Sequence, residues 1–265
     1  MNICCMCITH NRPHLLSHLL WCFERQSHHD RCLLIYDDHV QYTSQEGDNW
    51  RLVSDDKQWR GLGDKRNAAL RIAEDTFHAD VYAVWDDDDF YFPHALHSIA
   101  WACERAPWCM PSLIYLRGDN SLVCHNAYGA ADRKDRAYHS SWAFRRELLD
   151  CGLLIYPSVV YFEDRDLGRA LIKAGVPDAD PCERYPAYAV YDPYNSPERV
   201  SRLGGVAGWW ARSKEPIVVA SEPLVSRRPT TVATELTLAE LERLCAHPRQ
   251  RPWKHDSDWL ERRDA

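Results

Sequence analysis

The fold of this chain is decided by one stretch, Val81-Tyr82-Ala83-Val84-Trp85-Asp86-Asp87-Asp88-Asp89. Its apolar residues predict a buried strand, and consecutive carboxylates follow directly. Because like charges this close repel one another, a cation is expected at the end of the strand, and a hard divalent metal prefers such oxygen ligands. An EF-hand is excluded because the loop lacks the required Gly and Glu. The alternative is a solvated acidic turn.

The composition is that of a globular protein. The chain has 265 residues, 45% of them hydrophobic, which fits one large domain or two small ones. It shows neither a membrane-spanning apolar run nor a signal peptide. Its 11 cysteines lack the spacing of a disulfide framework, which predicts reduced thiols and a cytoplasmic location. The net charge of −7 argues against a general nucleic-acid binder.

Strand and helix patterns alternate before the acidic run. Strands are predicted at 3–9, 32–36, 52–53 and 81–85, with helices at 13–26 and 64–75 between them. Asp64 is expected to cap the second of these helices. This order predicts an α/β fold in which helices flank a mostly parallel twisted sheet. Ligands bind such sheets beyond the carboxyl ends of the strands, where Thr9 to Arg12, Asp37-Asp38 and Asp86 to Asp89 are all placed.

The segment Gly61-Leu62-Gly63-Asp64-Lys65-Arg66-Asn67 is a second strong signal. It places two cations in the first turn of a helix, where the macrodipole disfavours them unless an anion binds there. The glycines would let the backbone approach that anion closely. The spacing is not that of a Walker A loop. A plain helix start with a Gly-containing turn is the alternative.

Two acidic pairs complete the candidate site. Asp37 and Asp38 end a predicted strand, where a carboxylate can bind a nucleobase or ribose, or can simply initiate a turn. Glu163 and Asp164 precede an amphipathic helix, whose N-terminus keeps a carboxylate ionised. Such a group can act as a general base toward a hydroxyl, or it can merely compensate the helix dipole.

Taken in order, these segments resemble the nucleotide-sugar glycosyltransferases of the GT-A fold, specifically the inverting family 2. The resemblance covers most of residues 2 to about 200. It is carried by Thr9-His10-Asn11-Arg12-Pro13, Ile35-Tyr36-Asp37-Asp38, Gly63 to Asn67, Trp85 to Asp89 with Pro93, and Glu163-Asp164 with Leu167 and Gly175.

The resemblance implies transfer of a sugar from a nucleoside diphosphate donor, with UDP favoured, to an acceptor hydroxyl. Asp164 would be the catalytic base and Glu163 would orient the acceptor. Asp88 and Asp86 would bind Mn²⁺ or Mg²⁺, with Asp89 a weaker candidate. The donor nucleotide would contact Thr9, Asn11, Arg12, Asp37, Asp38, Lys65, Arg66, Asn67, Asp86 and Asp87.

One position departs from the family pattern. Related enzymes often complete the metal site with a late His, where this chain has Tyr191-Asp192-Pro193. Asp192 could replace that ligand, or the metal could rely on Asp88 and phosphate alone. His139 and His125 are other candidates, although each is more often a surface or packed histidine.

The predicted organisation is a GT-A domain over 1–225, with a nucleotide-binding half (1–90) and an acceptor-binding half (91–225). A helical extension follows at 226–265. The Gly- and Trp-containing loop 200–210 is expected either to close over the donor or to pack on the core.

Two rival functions remain open. A nucleotidyltransferase usually has a Gly-rich first loop followed by Arg and Lys, which Thr9 to Pro13 lacks. A non-catalytic sugar-nucleotide-binding protein would not need Asp164. The missing transmembrane pattern argues against a processive membrane synthase, and the acceptor is not identified.

Overall fold

A computed structural model of the chain describes residues 1–10, 12–117, 122–126, 139–159, 163–185 and 188–191. Besides 3₁₀ turns at His139–Ser141 and Pro181–Glu183, the described residues form twelve strands and five helices. In chain order these are β1 (Ile3–Thr9), α1 (Pro13–Glu24), β2 (Arg31–Asp37), β3 (Gln45–Glu46), β4 (Trp50–Ser54), α2 (Leu62–Phe77), β5 (Val81–Val84), β6 (Phe90–Tyr91), α3 (Ala95–Cys103), β7 (Trp108–Cys109), β8 (Leu113–Arg117), β9 (Leu122–Asn126), β10 (Ala143–Arg145), α4 (Arg146–Asp150), α5 (Glu163–Lys173), β11 (Asp178–Ala179) and β12 (Ala189–Tyr191).

The main sheet has the strand order β11-β7-β10-β5-β1-β2-β4-β3. Its centre, β5-β1-β2-β4, is parallel, while β10 and β3 run antiparallel to their neighbours. A second sheet has the order β6-β12-β8-β9 and begins directly after the acidic run. These sheets and their helices confirm the predicted α/β fold with a mostly parallel sheet.

Helices cover both faces of the main sheet because its strands are apolar on both sides. Along β1, Ile3, Cys5 and Cys7 belong to the core on the side of α1, whereas Cys4 and Met6 belong to the core on the side of α2. The three N-terminal cysteines are therefore buried thiols, as predicted. No helix in the described part of the chain is long and apolar enough to cross a bilayer.

Helix α2 begins earlier than the sequence predicts. Asp64 was expected to cap it, but Gly61 is the N-cap residue and Asp64 lies in the first turn. Asp64 instead accepts a hydrogen bond from Ser158 Oγ at 2.7 Å. The predicted N-cap was wrong because a distant loop, and not the local chain, supplies the partner of this carboxylate.

Candidate functional site

The carboxyl ends of three parallel strands meet at one edge of the main sheet. β1 pairs in register with β2, Thr9 opposite Asp37, and with β5, Met6 opposite Val84. The acidic run therefore starts beside the end of β1, and Thr9 Oγ1 donates a hydrogen bond to Asp87 Oδ2 at 2.7 Å. The predicted convergence of polar groups at this edge is observed for these segments.

Asp87 is the most deeply buried member of the acidic run, with 1% exposure. It receives the Thr9 hydroxyl and lies 2.8 Å from the Arg12 guanidinium. Burial raises the pKa of Asp87 to about 7, although the Arg12 charge opposes the shift. Arg12 also donates to Asp88 Oδ2 at 3.0 Å and so bridges two carboxylates. Burial alone would lower the pKa of Arg12, but Asp87 and Asp88 raise it, so the guanidinium stays charged.

Asp86, Asp88 and Asp89 form a second group within the run. Each offers a carboxylate oxygen, and these oxygens all lie within 4.8 Å of one another. A cluster of hard oxygen donors suits Mg²⁺ or Mn²⁺, so the residues fit the predicted metal. The predicted ligands Asp86 and Asp88 belong to this group, and Asp89 joins them.

Aromatic residues hold the turn that carries this group. The Trp85 ring stacks on Tyr91 with centroids 3.8 Å apart, and the Tyr91 hydroxyl accepts a hydrogen bond from the backbone N–H of Asp86 at 2.9 Å. On the other side, His18 Nε2 lies 3.0 Å from the backbone oxygen of Asp89. The acids are thus placed by packed side chains from α1 and β6.

The two aspartates at the end of β2 have different surroundings. Asp37 is fully buried and accepts hydrogen bonds from the backbone N–H groups of His39 and Gln41 and from the Ser54 hydroxyl, at 3.1, 2.9 and 2.7 Å. These bonds shape the loop after β2. Asp37 therefore stabilises the loop that follows β2 at this edge of the sheet.

Asp38 is joined to charged and polar groups of the site. Its Oδ1 lies 2.7 Å from His10 Nδ1 and 2.8 Å from Lys65 Nζ. Burial tends to raise the pKa of Asp38, but His10 and Lys65 lower it below its ordinary value. An ionised Asp38 is the result. His10 was not among the predicted site residues, although it stands in the first-strand signature.

The residues Lys65, Arg66 and Asn67 point in different directions because helical neighbours are about 100° apart. Lys65 Nζ donates to the backbone oxygen of Thr9 at 2.6 Å in addition to its contact with Asp38. The Asn67 amide exchanges two hydrogen bonds of 2.8 Å with the backbone of Tyr156. In this structure Asn67 therefore connects α2 to the loop that precedes α5.

Arg66 connects the acidic run to the N-terminus of α5. Its guanidinium lies 3.6 Å from Asp86 Oδ1 and 3.2 Å from Glu163 Oε1. Its side chain is only 11% exposed. Burial would lower the pKa of Arg66, but Asp86 and Glu163 raise it, so a permanent cation lies between the two acidic groups.

The glycines before Lys65 allow a close approach of protein backbone. A Cβ on Gly61 would lie 2.3 Å from the Val159 oxygen, and one on Gly63 would lie 2.1 Å from the Pro157 oxygen. The neighbour of both glycines is therefore the loop 157–159, whereas the sequence predicts an anion at this place.

Glu163 and Asp164 begin α5 beside Arg66. Burial raises the pKa of Glu163, and the Arg66 charge opposes this. Burial also raises the pKa of Asp164. Two groups oppose this shift: the backbone N–H of Arg165, which donates to Asp164 Oδ1 at 2.7 Å, and the charge of Arg66. A carboxylate with a raised pKa is a stronger proton acceptor once it is ionised.

His139, a candidate metal ligand in the sequence, is a packed histidine. Its Nε2 lies 3.0 Å from the Tyr156 hydroxyl, and its ring packs edge-on against Trp142 with centroids 5.0 Å apart. Burial lowers its pKa well below the ordinary value. His139 does not belong to the acidic group of Asp86, Asp88 and Asp89.

Several predicted features lie outside the described residues. They are Asn11, Asp192, the loop 200–210 and the extension 226–265, together with the side chain of His125.

Comparison with known proteins identifies the fold. No protein-family model matches the chain, and no curated protein matches it. Among solved structures, S. aureus TarS 1–349 in complex with UDP is similar, with a TM-score of 0.56 and 16% identity over 74% of this chain and 62% of that chain. The complex of the same protein with UDP-GlcNAc gives a TM-score of 0.55 and 15% identity, over 72% and 58% of the two chains.

This chain thus spans about three fifths of the length of those TarS chains. The fold that the chain shares with these structures is the GT-A fold. At this level of identity the likeness shows the fold, and the fold is the one that the sequence motifs predict.

Proposed function

We propose that this protein is a glycosyltransferase that moves a sugar from a nucleoside diphosphate donor to an acceptor hydroxyl with inversion. One observation carries the proposal. Asp38, the acidic group and Asp164 are brought together around one sheet edge, and Arg66 contacts both the acidic run and the pair at α5. UDP is the favoured nucleotide, supported by the complexes of TarS with UDP and UDP-GlcNAc.

The nucleoside would bind at the end of β2. Asp38 is an ionised acceptor at this edge and can accept a hydrogen bond from the base. Lys65 and His10 hold its carboxylate in place through Oδ1. Thr9 and Asp37 support the same edge from the buried side.

Asp86, Asp88 and Asp89 would hold Mn²⁺ or Mg²⁺, with Asp192 a further predicted ligand. When bound, the ion neutralises charge on the departing nucleoside diphosphate. Lys65 and Arg66 are each paired with carboxylates, so these two cations at the start of α2 are already engaged. Arg12 donates to Asp88 Oδ2, so it would share this carboxylate with a bound ion.

Asp164 would take the proton of the acceptor hydroxyl as its oxygen attacks the anomeric carbon of the donor. The bond from that carbon to the diphosphate breaks, and attack from the opposite side inverts the configuration. Glu163, held by Arg66, would orient the acceptor. Because burial raises the pKa of Asp164, the rate should rise with pH as this group ionises.

Calorimetric titration with UDP, GDP, CDP and ADP, each with Mn²⁺ and with EDTA, tests the donor site. We expect metal-dependent binding with a preference for UDP. Folded protein that binds none of them with metal present would contradict the proposal. Release of pyrophosphate in place of nucleoside diphosphate during turnover would identify a nucleotidyltransferase. The domain limits 1–225 and 226–265 and the cytoplasmic location stay predictions.

A further inference from the structure

A cleft with a volume of about 600 Å³ lies on the outer side of α2. Asp55 and residues 57–60 line one part of the cleft, and Ser158 also contributes to its lining. This volume is in the range of small-molecule sites. None of the acids at 86–89 is among the lining residues, which are Tyr36, Asp55, Lys57, Gln58, Trp59, Arg60, Asp64, Asn67, Ala68, Arg71, Ile72 and Ser158.

The cleft carries cations without acidic partners. Lys57, Arg60 and Arg71 are exposed, and no carboxylate among the described residues forms an ion pair with any of them. Lys57 Nζ instead lies 4.1 Å from the centre of the Trp59 ring. Three positive side chains thus border one concave surface and remain able to bind an anion.

The two carboxylates of the cleft are occupied by neutral donors. Both Asp55 oxygens accept the Tyr36 hydroxyl at 3.0 Å, and Asp64 accepts the Ser158 hydroxyl at 2.7 Å. Neither acid forms an ion pair with the cations of the cleft. Although the whole chain has a net charge of −7, the residues that line the cleft carry three positive and two negative charges.

The wall of the cleft next to these cations is aromatic and apolar. Trp59 Nε1 donates to the Tyr36 hydroxyl at 3.2 Å, and the two rings pack edge-on with centroids 6.1 Å apart. Ala68 and Ile72 of α2 complete this surface. A ligand that fits both features has an anionic group for the arginines and a ring or apolar body for Trp59.

We propose that this cleft is a binding site for a phosphate-bearing ligand with an aromatic or apolar body, separate from the candidate donor site. The arrangement of the cleft supports this proposal whether or not the chain transfers sugars. A phosphorylated acceptor and a second nucleotide share this chemistry. Asn67 both lines the cleft and bonds the backbone of Tyr156, so a ligand here would lie beside the loop that precedes α5.

Calorimetric titration of the full chain with phenyl phosphate at low ionic strength tests the site. The double variant Arg60→Gln/Arg71→Gln removes two charges at exposed positions, and glutamine is a good helix former at position 71, which lies within α2. We expect its Kd to be at least tenfold higher than that of the wild type. Arg25→Gln is the matched control, because Arg25 is exposed and follows α1 on the opposite face of the sheet.

The same titration with saturating UDP and Mn²⁺ separates the cleft from the donor site. Unchanged phenyl phosphate binding supports the proposal. Loss of that binding would overturn the proposal. So would any of three results in the titration without UDP: no binding to the wild type, wild-type affinity in the double variant, or an equal loss in Arg25→Gln. A parallel titration with uridine 5′-monophosphate under these conditions distinguishes the sources. Binding of this probe to the cleft would favour a second nucleotide as the ligand, and binding of phenyl phosphate alone would favour a phosphorylated ligand that is not a nucleotide, such as an acceptor.

Discussion

Replacing Arg66 with methionine removes the cation between Glu163 and Asp86. At 3.2 Å, an effective dielectric constant of about 20 gives an attraction to Glu163 of ~5 kcal/mol before desolvation. Both side chains are nearly buried, at 11% and 6% exposure, so solvent screening is small. Removing one partner of such a pair costs about 3–5 kcal/mol. We expect the free energy of unfolding to fall by about 3 kcal/mol at pH 8.

The loss should be smaller at acidic pH. Burial already raises the pKa of Glu163, and without Arg66 it rises further. The folded variant then binds more protons than its unfolded chain, so its stability falls as pH rises through that pKa. Because a larger fraction of Glu163 is protonated at pH 5 than at pH 8, we expect roughly half of the destabilisation at the lower pH.

Denaturant unfolding at the two pH values measures this effect. Arg105→Met is the control, because Arg105 pairs with Glu104 at the surface, 3.6 Å apart, and such pairs contribute little. Adding Glu163→Gln to Arg66→Met should recover more than about 1 kcal/mol by removing the unpaired carboxylate. An equal loss at both pH values, or no recovery in the double variant, would refute the role of Arg66 as the buried counter-ion of Glu163.

Three further substitutions test the site and the fold around it. Asp164→Asn should abolish transfer while leaving UDP affinity within about twofold, measured by turnover and calorimetry, since only the proton acceptor is lost. Asp166→Asn, in the same helical turn, is the control and should keep turnover. Activity in Asp164→Asn would show that Asp164 is not the base. Asp88→Asn should weaken Mn²⁺-dependent UDP binding at least tenfold by calorimetry and leave binding in EDTA unchanged; equal affinity with Mn²⁺ would count against this ligand. Gly63→Ala should lower the free energy of unfolding by about 2 kcal/mol in denaturant, because its Cβ would lie 2.1 Å from the Pro157 oxygen, and wild-type stability would contradict that close contact.

The parallel half of the fold could be predicted because its strands are long and apolar. β1 and β2 each have seven residues and end on polar groups that belong to the site. The antiparallel strand β10 and the two-residue strands β6, β7 and β11 have no such pattern. Their pairing depends on distant neighbours, so local hydrophobic periodicity could not predict it.

The acids of the site could be located from the sequence, but their partners could not. The sequence predicts metal ligands at Asp86 and Asp88 and a donor contact at Asp87. In the structure, Arg12 and Thr9 hold the buried Asp87 carboxylate, and Asp86, Asp88 and Asp89 form the oxygen group. The direction of each side chain depends on the backbone turn after β5. The charges of the four aspartates do not predict the conformation of that turn.

The consecutive residues Lys65, Arg66 and Asn67 contact three different parts of the structure. A helix turns about 100° per residue, so consecutive side chains must separate. Lys65 reaches the end of β2, Arg66 reaches Glu163, and Asn67 holds the backbone of Tyr156. The motif therefore fixes the distance between the edge where a donor would bind and the acids that would receive the acceptor's proton. A loss of activity on mutating Arg66 or Asn67 is consequently not evidence of contact with the diphosphate unless the geometry of α5 is shown to be unchanged.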